Sequence, residues 1–108
     1  MASRFDDEHA PIFSVGQVAD LLGVQSAFVR RLDTEQVVQP ARSAGGQRRY
    51  SQVQVDRVAQ VSSMASEGLN LAGIRRILAL EAEVERLECQ VRRLEAQAQT
   101  ERRSGGHG

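Results

Sequence analysis

Apolar residues along this chain recur with two different periods. In the first part they form short clusters, each introduced by a helix start signal. Ser14 is followed three residues later by Gln17, a capping-box pattern, and Phe13 is placed to staple onto Val18. Val15, Val18, Leu21 and Leu22 make one apolar face, and Gly23 can end the helix. A first helix is therefore predicted over 15–22. Ser26 can cap a second helix over 27–36. Phe28, Val29 and Leu32 supply its buried side, while Arg30, Arg31, Asp33 and Glu35 are polar. The link between the two, "GVQ", has the spacing of a helix-turn-helix.

The stretch "VVQPARSAGGQRRYS" breaks the helical pattern. Val37 and Val38 are β-branched, Pro40 stops a helix, and Gly45 and Gly46 permit positive φ in a tight turn, so a short hairpin is predicted. Ser51 and Gln54 form a second capping box, with Tyr50 able to staple to Val55. Val55, Val58, Val61 and Met64 continue as a helical stripe that Gly68 can close. Asn70 can cap a fourth helix, with Leu71, Ile74, Ile77 and Leu78 facing inward and Leu69 placed to staple to Ile74.

The last segment changes period. Ile77, Leu80, Val84, Leu87, Val91, Leu94 and Ala98 alternate spacings of three and four, an a/d heptad seam among Glu, Arg and Gln. So narrow a seam cannot bury itself in water, so a long helix pairing with a second copy of itself is predicted; the other solution is a seam folded back on its own domain. Glu88 and Arg92 are spaced for an i, i+4 ion pair. The e positions (Glu81, Glu88, Glu95) and g positions (Glu83, Gln90, Gln97) contain a repulsion in either partner direction, so charge leaves the orientation open.

The 108 residues suit one small domain plus an appended element. The formal net charge of zero conceals a pattern: all 14 basic residues are Arg. Residues 25–60 hold six of them against Asp33, Glu35 and Asp56, so the positive excess lies in the middle block. Arg suits bidentate contacts to phosphate and base edges. The lone Cys89 excludes an internal disulfide or a CxxC metal site, and His9 and His107 have no partner cluster, so no metal and no cofactor is expected. No apolar run approaches a membrane span, and "MASRFDDEHAP" lacks the apolar stretch of a signal peptide. The expectation is a cytoplasmic, nucleoid-associated protein with no membrane partner. No acid pair, Ser/His/Asp set or P-loop pattern is present, so no enzyme is expected.

A helix-turn-helix places its second helix in the major groove of double-stranded DNA. The candidate base contacts are Gln25, Ser26, Ala27, Arg30 and Arg31. Arg can donate twice to guanine, and Gln can pair with adenine. The candidate backbone contacts are Ser14, Arg42, Arg48, Arg49 and Tyr50, with Tyr50 either packing beneath or adding a hydroxyl bond. Such contacts set salt-dependent affinity and carry no sequence information. The dimer interface expected from the heptads is Ile77, Leu80, Val84, Leu87, Val91, Leu94 and Ala98. A two-fold dimer with two reading heads fits an inverted repeat.

Helix-turn-helix, then "G-x-R-x-Y" (Gly46, Arg48, Tyr50), then two helices and a coiled coil, resembles the MerR family of transcription regulators over roughly residues 12–98. "RSAGGQRRYS" and "EGLNLAGIRRILALE" (Glu67 to Glu81) are most similar to its heat-shock repressor branch, HspR. The resemblance implies a winged-helix DNA-binding domain, an antiparallel dimer through the last helix, binding to inverted repeats in promoters, and, in the HspR branch, a DnaK-type chaperone as partner. Where the family commonly has "L-R-Y-Y-E", this chain has Val29, Arg30, Arg31, Leu32 and Asp33, and the family's usual Gly before the wing is Gln36. The family's metal sensors use paired cysteines near the start of the dimer helix, whereas Cys89 is alone at an outer f position.

The fold expected is mainly α: a winged helix-turn-helix with a short β-hairpin wing and a C-terminal coiled-coil dimerisation helix. Its parts are a flexible N-terminus (1–11), a DNA-binding domain (12–79), a dimer helix (80–103) and a flexible tail (104–108). The function expected is a sequence-specific DNA-binding transcription regulator, a repressor acting as a homodimer. The alternatives are an activator of the same family, or a coiled-coil adaptor that binds protein.

Overall fold

The computed structural model describes residues 7–105. The expectations for residues 1–6 and 106–108, His107 included, lie outside the described residues. The order is α1 (Val15–Leu22), α2 (Ser26–Thr34), β1 (Ala41–Arg42), β2 (Arg48–Arg49), α3 (Gln52–Ser66) and α4 (Leu71–Gly105). The chain divides into two compact units, one ending at Arg75 and the other beginning at Arg76.

In the first unit both capping boxes form. Ser14 Oγ accepts from the Gln17 amide while Gln17 Oε1 accepts from the Ser14 amide, and Ser51 and Gln54 repeat the exchange. Asn70 Oδ1 accepts from the Gly73 amide at the start of α4. Ser26 differs from expectation. It is itself the first residue of α2, and the residue before it, Gln25, is extended and gives no side-chain cap. The helix also ends two residues early, at Thr34.

The core is aliphatic apart from Tyr50. Val18, Val29, Leu32, Val58, Val61 and Ile74 are fully buried around it. On α1 the buried pair is Val18 and Ala19, while Leu21 is 61% exposed. The i, i+3, i+4 stripe from Val15 passes through Ala19 and Leu22, and Leu21 lies off it.

Outside the wing, three chain reversals among the described residues use left-handed backbone. Gly23 and Gly68 supply two of them, as glycine readily does. The third is Gln36, at φ 59. Its amide donates to the Asp33 carbonyl and the Val37 amide to the Leu32 carbonyl, which closes a Schellman motif at the end of α2. The family's glycine at this position thus has a physical reason, and this chain meets the same geometry with a side chain present.

The wing is a two-stranded antiparallel hairpin pairing Ala41 with Arg49 and Arg42 with Arg48. Its turn closes through Gly46 N–H to Ser43 C=O and Ser43 N–H to Gln47 C=O, both 2.8 Å. Gly46 alone takes the positive φ, where both glycines were expected to be candidates. A bridge between Phe13 and Tyr50 extends the hairpin toward the segment before α1.

The fourth helix and the heptad helix, which the change of period separates, are one continuous 35-residue helix. It includes Ser104 and Gly105, the first residues of the expected tail. Within the second unit Leu80, Val84, Leu87, Val91 and Leu94 are 46–56% exposed. Within this helix Arg86 pairs with Glu83, and among the described residues Glu88 and Arg92 do not pair with each other.

Candidate nucleic-acid interface

Three local features build one groove. The capping box fixes where α1 begins, so Ser14, Val15 and Gly16 form one wall. Arg30 enters from α2, and Arg42, Gly46, Gln47, Arg48 and Arg49 enter from the wing. The amides of Val15 and Gly16 open the helix and have no intrahelical carbonyl to bond. No acidic residue occupies that first turn, so the positive end of the helix dipole is not offset there. Four guanidiniums beside such a helix start make a setting for an anion with several oxygens.

The arginines are held differently. Arg48 Nε donates to Asp33 Oδ2 at 2.6 Å and Arg42 Nη2 donates to the same oxygen at 2.9 Å. Arg49 donates to Gln47 Oε1 and to the Arg48 carbonyl, which lays it along its own strand. Arg30 is exposed, and among the described residues its guanidinium has no hydrogen bond or ion pair. Asp33 corrects the sequence reading. Read as polar and left out of the buried side of α2, it is buried at the level of the core. A signal was available: Val29, Leu32 and Asp33 share the i, i+3, i+4 stripe that faces inward.

Tyr50, placed among the backbone contacts with packing beneath as one of its two roles, takes the packed one. Its ring is fully buried and its hydroxyl lacks a partner among the described residues. Burial pushes its phenol above the ordinary value, and the Asp33 carboxylate adds to the rise, against Arg48, Arg42 and Arg30.

Ser14, Arg30, Arg42, Arg48 and Arg49 are therefore brought together, and Arg30 stands with the wing rather than with the other candidate base contacts. Gln25 and Ala27 are exposed and Ser26 half-buried at the start of α2, outside the groove. Arg31 is exposed and pairs with Glu35 at 2.6 Å, one turn along α2. Sequence reasoning missed Val15, Gly16, Gly46 and Gln47 as lining residues. The seam residues Val84, Leu87 and Val91 line a separate shallow groove of the second unit with Glu88 and Arg92. Cys89 is exposed. No helix among the described residues is long and apolar enough to cross a membrane.

Residues 13–81 match the model of the MerR HTH family regulatory proteins. The chain is 38% identical over 81 residues to the heat shock protein HspR of Streptomyces coelicolor, covering 74% of this chain and 54% of that protein. The chain thus spans about half the length of this curated relative. Among solved structures, the N-terminal part of MtaN, the Bacillus subtilis multidrug transporter activator, superposes with a TM-score of 0.58 at 26% identity, covering 85% of this chain and 96% of that one. HiNmlR, a regulator lacking the sensor domain and solved bound to promoter DNA, shares the fold with a TM-score of 0.56 at 17% identity, over 77% of this chain and 79% of that one.

Proposed function

The chain belongs to the MerR HTH family, and from that premise we propose that it is a sequence-specific DNA-binding transcription regulator, a repressor that binds an inverted repeat as a homodimer. One observation carries the reading: Arg30 of α2 and Arg42, Arg48 and Arg49 of the wing line a single groove with the start of α1. In this reading the groove takes the phosphate backbone, which gives affinity and register. Gln25, Ser26, Ala27 and Arg31, at and after the start of α2, read base edges in the major groove. HiNmlR, of the same fold, was solved on promoter DNA, which supports that placement.

The dimer part of the proposal rests on the exposed seam. Two copies paired along it would cover the apolar row and hold two reading heads at fixed spacing. We assign the protein no catalytic role, and its place of work is the cytoplasm with the nucleoid. The likeness to HspR makes a DnaK-type chaperone the protein partner to test. The test of the function is selection of bound duplexes from a random-sequence pool. Recovery of an inverted repeat supports it; recovery of no motif under low salt refutes it.

A further inference from the structure

The carboxylate of Asp33 is 9% exposed and sits near the end of α2. Both of its ion-pair partners come from the wing, and both reach the same oxygen. Arg42 and Arg48 stand directly opposite each other across the β1–β2 ladder. Like charges facing across strands repel, and a carboxylate between them offsets that. A carboxylate so buried is costly without partners, so the dependence is mutual. The two ion pairs therefore tie the helix proposed to read bases to the strands proposed to grip phosphate. They also leave this trio of side chains with one net positive charge instead of two.

Resting on the DNA-binding reading above, we propose that Asp33 is a positioning and specificity-determining residue. It fixes the wing arginines in register with α2 and masks one of their two charges. Affinity for DNA of any sequence follows the number of phosphates neutralised, so masking one charge lowers it. A recognised site gains instead from the fixed register, because base contacts form only when helix and wing seat together.

The test uses the full chain and two probes: a duplex selected by the wild-type protein from a random-sequence pool, and a scrambled duplex of equal length. Affinity is measured against salt for wild type, Asp33→Asn, Arg42→Gln and the double variant. Asp33→Asn is expected to bind the scrambled duplex severalfold more tightly, with a salt slope steeper by about one charge per protomer. Its discrimination between the duplexes falls about tenfold. Arg42→Gln moves the slope the other way by about one charge. The double variant regains the wild-type slope while discrimination stays reduced.

Equal weakening on both duplexes at unchanged slope would show a purely structural role and overturn the inference, as would no change on either. Should Asp33→Asn fail to fold, the double variant decides: wild-type discrimination overturns the inference, and a tenfold loss at wild-type slope supports it. If the wild-type protein selects no duplex, the DNA-binding reading itself falls. If it selects one and discrimination ignores Asp33, only this inference falls.

Discussion

Phe13 and Tyr50 exchange a pair of backbone hydrogen bonds. The Tyr50 amide donates to the Phe13 carbonyl at 2.7 Å, and the Phe13 amide donates back at 2.9 Å. Phe13 immediately precedes the cap of α1, and Tyr50 immediately follows β2. The exchange therefore fixes the separation of the two walls of the arginine groove, Ser14 to Gly16 on one side and the wing on the other.

Phe13→Pro removes the donor from that exchange while keeping an apolar residue. Loss of a buried pairing of this kind should destabilise the domain by about 1–3 kcal/mol. Urea unfolding followed by circular dichroism measures it, and DNA affinity should fall alongside. Unchanged stability would mean that the bridge does not set the groove.

Gln36→Gly should stabilise the domain by up to about 1 kcal/mol. The left-handed conformation at φ 59 costs a residue bearing a Cβ about 1–2 kcal/mol, of which glycine's greater chain entropy returns part. Thermal unfolding of the two proteins gives the sign directly; a lower midpoint for the glycine variant contradicts the argument.

Tyr50→Phe should be neutral or stabilising by about 1 kcal/mol, since it removes a buried hydroxyl that lacks a partner among the described residues. It should also change the alkaline limb of stability. The folded phenol titrates above its ordinary value near 10, chiefly through burial. Below that value both states are protonated and nothing is lost. As pH rises past it the unfolded state sheds its proton first, so stability falls. Phenylalanine should abolish that part of the fall, as denaturant midpoints across alkaline pH would report.

Leu87→Glu places a charge in the middle of the exposed seam. A buried leucine is worth about 1.5–3 kcal/mol, and a symmetric pair loses two. Sedimentation equilibrium should show a wild-type dimer and a variant weakened by at least 100-fold. A wild-type monomer at micromolar concentration would remove the dimer from the account.

What was legible in the sequence was local. The capping boxes at Ser14 and Ser51 depend on a residue three positions away, so the pattern alone predicted them. The heptads predicted a long C-terminal helix for the same reason. Asp33 was not legible as a hub, because its partners lie nine and fifteen residues on. Only the hairpin register brings Arg42 and Arg48 to one oxygen. Tyr50 was half legible: its staple position implied burial, but the isolation of its hydroxyl depends on the packed core. Ser26 misled because cap residues and first-turn residues share a preference for small polar side chains, and one position of shift changes the role.

The central claim is that the arginine groove holds DNA. It is tested most directly by fluorescence anisotropy of a labelled duplex titrated with wild type and Arg30→Ala across a range of salt. The account predicts that wild-type log K falls linearly with log salt. It predicts that Arg30→Ala lowers low-salt affinity about tenfold and makes the slope shallower by about one charge per protomer. Wild-type protein that does not bind at low salt, or an Arg30→Ala variant with unchanged affinity and slope, would contradict it.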